Sequence, residues 1–371
     1  MAPRIPWYVW SSVVAVTLIL AGVYWDISWH MTIGRDSFWT PAHIAIQLGG
    51  ITAAGAGTYL ILATTFRRSS PLREASIAVW GFRGPFGAFL SVWGGATMIV
   101  SAPFDNWWHG AYGLDVKILS PPHVVLTLGI LGVAIGGVLL VVATLNRSSG
   151  DVHRRLQWLI LLVAGEVLVL AMIAVLEKTF RANLHRADAY RALAIVVPIM
   201  MIPLAHASGR RWATTIVAGA YTAFMVLMIW LFPLFPAEPK LGPVYQPITH
   251  FIPLEFPMLI VVPAIAIDVA ADRLAARPRI VRAVVFGALF TTLLVAAQWP
   301  FASFLVTDDA KNWLFGAHYL PYFMQPQWYE ARGELMPDPD VAVGLAQALV
   351  LGMISSWIAL AVGDALRKVQ R

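Results

Sequence analysis

Cysteine does not occur among the 371 residues, which removes disulfides, thiolate metal sites and iron–sulfur clusters together. Any metal this chain holds must be bound by nitrogen and oxygen. Charge is scarce as well. Asp, Glu, Lys and Arg make up 12% of the residues against 59% hydrophobic ones, and the mean hydropathy is +0.71, too apolar for a soluble domain of this length. Motifs of nucleotide and acyl chemistry are missing too: there is no G-x-S-x-G, no P-loop and no G-x-G-x-x-G in a strand-to-helix setting. Hydrolase and NTPase readings fall away.

What fills the chain instead is a series of apolar runs near the twenty residues a bilayer crossing needs. They lie near 8–29, 42–66, 84–106, 122–145, 156–177, 190–208, 212–233, 251–271, 282–306 and 341–366. The expectation is an all-α, polytopic transmembrane helix bundle of about ten spans. The first run follows a single Arg and superficially resembles a signal peptide, but it is long enough to span, has no clear A-x-A site and ends in a polar cluster, so it is expected to be retained. The formal charge of +6 comes from short basic clusters between runs, as membrane topology produces and nucleic-acid binding does not. The alternating loops "FRRSSPLRE", "NRSSGDVHRR", "SGRRW" and "DRLAARPRIVR", with the two ends, carry most of the 26 basic residues, with Arg83 placed inside the third run. Both termini are therefore expected in the cytoplasm, in a multi-pass protein of the cell (inner) membrane whose acidic loops face away from it.

Two stretches on that opposite face stand out. "DISWHMTIGRDSFWTPAH" runs from Asp26 to His43, and "DNWWHGAYGLDVKILSPPH" from Asp105 to His123. Both follow D-x-x-W-H-x-x-x-G-x-D and both end in a proline-flanked histidine. Asp26 and His30, like Asp105 and His109, are four residues apart at the end of a span and so share a helix face. "TPAH" and "SPPH" read as an N-cap (Thr40, Ser120), proline at the first helical position and an imidazole (His43, His123) in the first turn. Each hairpin can then close one carboxylate and two imidazoles around a point, a donor set that suits copper, zinc or non-haem iron and leaves positions open. Arg35, Asp36 and Asp115 are placed to orient the ring N–H groups or balance charge around the ligands, and Gly34 and Gly113 to take a tight turn. The duplication divides the chain into a two-hairpin metal-binding region, 1–150 with spans one to four, and a further membrane bundle, 151–371 with spans five to ten.

A lone imidazole at a membrane interface is more often a satisfied polar group than a ligand. Repetition of the same residue types at the same offsets weighs against that reading here. Trp25, Trp29, Trp39, Trp107 and Trp108 are read as an aromatic interface belt. Glu166 sits in the middle of "LVAGEVLVL", where an ionised carboxylate is expensive, and is a candidate for a proton path. His185, His250 and His318 fall on the same side as the two clusters and are further candidates to complete or cover a site. Gly132 and Gly136 in "GILGVAIGG" are expected to permit close helix packing.

At Asp26, His30 and His43, with "GRDSFWTPAH", the sequence resembles the C subunit of the particulate methane and ammonia monooxygenases, the copper membrane monooxygenase family. That subunit carries an Asp-x3-His-x12-His copper triad, and a second Asn-x3-His-x13-His site whose spacing Asp105, His109 and His123 match, with Asp where the family has Asn. The resemblance covers residues 8–145. It implies neighbouring copper sites that activate oxygen toward a small apolar or ammonia-like substrate. The sequence carries no recognisable flavin or haem motif, so on this reading electrons are expected from a quinol or another donor, and other membrane subunits or further copies of the chain are expected partners. The alternative from the residues alone is a metal-handling membrane protein, or a quinol-interacting membrane subunit, without oxygenase activity.

Overall fold

The computed structural model describes residues 4–67, 69–70, 72–113, 120–327 and 333–370. Ten α-helices make up most of them: α1 (Trp7–Thr32), α2 (Pro41–Phe66), α3 (Phe86–Tyr112), α4 (Pro121–Asn146), α5 (Gly150–Met172), α6 (Ala187–Ser208), α7 (Ala213–Leu231), α8 (Val261–Arg273), α9 (Arg279–Leu305) and α10 (Val341–Leu366). Among the described residues, all of these except α8 are long and apolar enough to cross a bilayer. The chain is thus a multi-pass helical membrane protein. Among the described residues there is one sheet, a two-stranded antiparallel hairpin of β1 (Ile77–Val79) with β2 (Phe82–Gly84). Arg83 therefore belongs to this hairpin, ahead of the third span rather than inside it.

Two compact units divide the chain: residues 1–26, 37–163 and 366–371 form one, residues 27–36 and 164–365 the other. In the first, α3 packs along both α2 and α4, and small residues set how closely. A Cβ on Gly136 of α4 would sit 2.5 Å from Ser91 Oγ and 2.7 Å from the Gly87 carbonyl of α3, so the helices touch backbone to backbone. Helices in lipid gain no hydrophobic driving force from one another, and close packing of this kind replaces it. Gly136→Leu is expected to push α3 and α4 apart, lowering stability by about 1–3 kcal/mol; thermal unfolding in detergent, with Gly219→Leu at an uncrowded position as control, measures it.

The second unit departs from the expected span at 251–271. Only Val261–Arg273 is helical, 13 residues, and 251–259 are extended. Pro253 and Pro257 explain the break: each lacks an N–H, and each biases the preceding residue away from helical geometry. Irregular backbone in an apolar run is tolerated only where protein groups satisfy it, and here they do. Ile252 N–H donates to Thr32 Oγ1 (2.9 Å), Met258 N–H to Tyr221 Oη (3.1 Å) and Leu259 N–H to Gln298 Oε1 (2.9 Å). Asp268 of α8 does the same for the start of α7, accepting from the backbone N–H groups of Thr214 and Thr215 and from both hydroxyls. A carboxylate on those first-turn donors is also favoured by the helix dipole.

Candidate metal centre

α1 has 26 residues, about 39 Å at 1.5 Å per residue, longer than the roughly 30 Å hydrocarbon core. Its last two turns, which carry Asp26 and His30, can therefore reach the polar interface. α3 carries Asp105 and His109 near its end in the same way, and His43 and His123 are the third residues of α2 and α4, each after a first-turn proline. Thr40 and Ser120 occupy the N-cap positions, but neither makes a side-chain cap bond. Thr40 Oγ1 instead accepts the Ser37 N–H (2.9 Å), tightening the turn that delivers His43.

Asp26 Oδ1 lies 3.1 Å from His43 Nε2. His30 follows Asp26 by four residues on the unbroken α1, so the helix itself sets their separation. One ligand atom from each of Asp26, His30 and His43 falls within 4.8 Å of the others. Among the described residues, this is the group of His and carboxylate side chains with spacing fit for an ion. His43 Nδ1–H donates to the Ser37 carbonyl (3.0 Å), which fixes the ring and turns Nε2 toward the carboxylate. With Nδ1–H committed to the Ser37 carbonyl, Nε2 and the carboxylate oxygen meet as two acceptors 3.1 Å apart, an arrangement held together by a shared proton or a shared cation. Anchoring one ring nitrogen on a carbonyl is how proteins orient a metal-binding imidazole.

The second hairpin repeats the device with one carboxylate between two rings. Asp105 Oδ2 lies 3.3 Å from His109 Nε2, and Oδ1 lies 3.7 Å from His123 Nε2. His109 Nδ1–H donates to the Gly113 carbonyl (3.2 Å). The tie thus falls on the first-turn His43 in the first hairpin and on the helix-end His109 in the second. Gly34 and Gly113 both have positive φ, +80° and +88°, and a Cβ on Gly34 would strike the Tyr322 hydroxyl.

Around these groups, Asp36 Oδ2 lies 3.5 Å from His30 Nε2. Arg35 contributes its carbonyl, which accepts the Trp29 indole N–H (3.0 Å). Asp115 lies outside the described residues. Trp39 and Trp107 are exposed. Glu166 is partly buried in the middle of α5. His185 is engaged elsewhere: its Nε2 is 2.9 Å from the Trp299 carbonyl, and its ring stacks on the Trp299 indole at 4.1 Å. His250 and His318 flank Tyr319, with ring centroids 5.5 Å and 4.0 Å from it. Burial, reinforced by the charges of His250 and Arg181, holds the His318 imidazole below the usual histidine range.

Sequence reasoning passed over one polar pair. Glu255, in the extended stretch, accepts from the Arg181 backbone N–H (2.6 Å) and from Arg181 Nε (3.3 Å), and the Arg181 guanidinium also donates to the Ala317 carbonyl. The signal was available: Glu255 is an acid inside an apolar run, "FIPLEFPML", and such a residue calls for a partner.

No protein-family model, no curated protein and no solved structure matches this chain.

Proposed function

We propose that this protein is a metal-dependent membrane oxidoreductase of the copper monooxygenase type, with one ion held by Asp26, His30 and His43 and another by Asp105, His109 and His123. The observation that carries it is the close approach of His43 Nε2 to Asp26 Oδ1 while Nδ1 is tied to a carbonyl, within a three-ligand group of metal-binding dimensions. Two nitrogens and one oxygen fit copper, and equally zinc or iron; the choice of copper rests on the resemblance at "GRDSFWTPAH". Copper with open positions supplies a one-electron centre at which oxygen is activated.

The chain's own contribution is positional. His43 and His109 are oriented through their Nδ1–H bonds, and Asp36 balances charge beside His30. The proposed reaction inserts one oxygen atom of O2 into a small apolar or ammonia-like substrate and reduces the other to water, using two electrons and two protons. A quinol or a partner membrane subunit is the proposed donor. The proposed topology takes the irregular stretch from 251 together with α8 as a tenth crossing, which with the excess of basic residues in alternate loops favours both termini in the cytoplasm and both triads on the other side of a cell (inner) membrane.

Copper, iron and zinc counted per chain in wild type, His43→Ala and His123→Ala after copper loading test the reading. One copper equivalent lost in each variant is expected, followed by reductant-dependent oxygen consumption in the wild type. Copper bound without oxygen consumption would reassign the chain to metal handling. Metal counts that neither substitution changes would return both clusters to imidazolium–carboxylate bridges.

A further inference from the structure

A cavity of 710 Å³ lies within the first unit, at the ends of its helices remote in sequence from the two triads, and it uses none of the ligand residues. Its wall includes Arg4 before α1, Arg67 at the end of α2 and Arg147 at the end of α4, and among the described residues no Asp or Glu lines it. Three guanidinium groups without a carboxylate make a site for an anion. Arg147 donates one N–H to the Gln370 carbonyl (2.5 Å), which holds the fork in place with further donors to spare.

A second observation points into the same space. Thr64 lines the cavity and is completely buried, yet its Oγ1 has no hydrogen-bond partner. Buried hydroxyls are normally satisfied, so an oxygen-bearing ligand is a fitting partner. The other part of the wall is apolar and aromatic: Trp7 and Tyr59, each about half exposed, meet edge to face at 5.4 Å. Cationic groups next to half-exposed aromatics at the ends of membrane spans match one ligand in two halves, a phosphate and a chain.

We propose that this cavity binds the headgroup of an anionic phospholipid, with its phosphate on Arg67 and Arg147, a headgroup oxygen toward Thr64, and an acyl chain along Trp7 and Tyr59. A basic pocket between spans on the cytoplasmic side is where such headgroups are held. A free phosphate ion would use the guanidinium groups and leave the aromatic wall idle.

The full-length protein in detergent, titrated with phosphatidylglycerol or phosphatidylcholine and read by native mass spectrometry, tests this. Wild type is expected to bind phosphatidylglycerol more tightly, and the Arg67→Gln/Arg147→Gln variant to bind it about 30-fold more weakly, at about tenfold per 1.4 kcal/mol for two surface cations. Phosphatidylcholine binding is expected to stay the same in both, and Arg211→Gln, outside the cavity, to leave both lipids unaffected. Equal affinity of wild type for the two lipids would overturn the proposal without any variant. So would unchanged phosphatidylglycerol affinity in the double variant. Displacement of phosphatidylglycerol by an equal concentration of inorganic phosphate would assign the cavity to a free ion and overturn the lipid reading.

Discussion

Asp105→Ala is expected to abolish metal binding at the second triad, whereas Asp105→Asn is expected to keep it with affinity weakened about tenfold or more. The single Asp105 carboxylate faces both imidazoles, Oδ2 toward His109 and Oδ1 toward His123, so removing it takes away the anionic ligand of the proposed site. Asparagine still offers one carbonyl oxygen at the same place. A metal-free imidazole–carboxylate contact gives no ranking at all. In that case copper binds the second hairpin in neither variant nor in wild type. Copper titration of the two variants, with the Asp26 triad as internal reference, separates these outcomes. Second-site copper affinity equal in Asp105→Ala and wild type would remove that carboxylate from the ligand set.

The ranking is informative because local sequence and tertiary structure contribute differently to each hairpin. Helix periodicity and the proline after each cap position were enough to place Asp26 beside His30, Asp105 beside His109, and an imidazole in the first turn of α2 and α4. These are relations across four residues or one turn, and the backbone sets them. Which ring nitrogen is tied down was not legible. His43 reaches the Ser37 carbonyl and His109 the Gly113 carbonyl only because of how each connecting turn closes. The caps show the same limit: Thr40 sits where the pattern puts it, yet its hydroxyl serves Ser37 rather than the helix.

At the scale of the fold, the long apolar runs were legible because lipid admits few spanning structures other than the helix. The run at 251–271 misled because hydropathy counts Pro253 and Pro257 as tolerable, while the backbone cannot. Its extended stretch survives on acceptors from Thr32, Tyr221 and Gln298, which lie from 37 to 220 positions away in sequence. No local pattern announces partners at that range. Arg83 misled in a smaller way. A short β-hairpin ahead of α3 is invisible to a search for twenty-residue runs.

The same extended stretch sets up the largest stability effect expected in this molecule. Arg181→Met should destabilise the fold by about 3–5 kcal/mol, the usual cost of removing one partner of a buried ion pair. The Arg181 side chain is 7% exposed and that of Glu255 20%, so the carboxylate left behind has little access to water. The backbone N–H of residue 181 would remain as a donor to Glu255 Oε2, which cannot replace a guanidinium. Glu255→Gln is expected to cost less, since an amide oxygen still accepts from that N–H and from Arg181 Nε. Replacing both residues with Met removes the stranded charge, and stability is expected to recover most of the loss. Reversible unfolding in mixed detergent micelles, run as a double-mutant cycle, measures all four. A double variant no more stable than Arg181→Met alone would mean that the pair holds the irregular backbone between Phe251 and Ile260 through its hydrogen bonds, and that charge compensation is secondary. In that case the Ala317 carbonyl and the Arg181 guanidinium that reaches it become the next contact to cut.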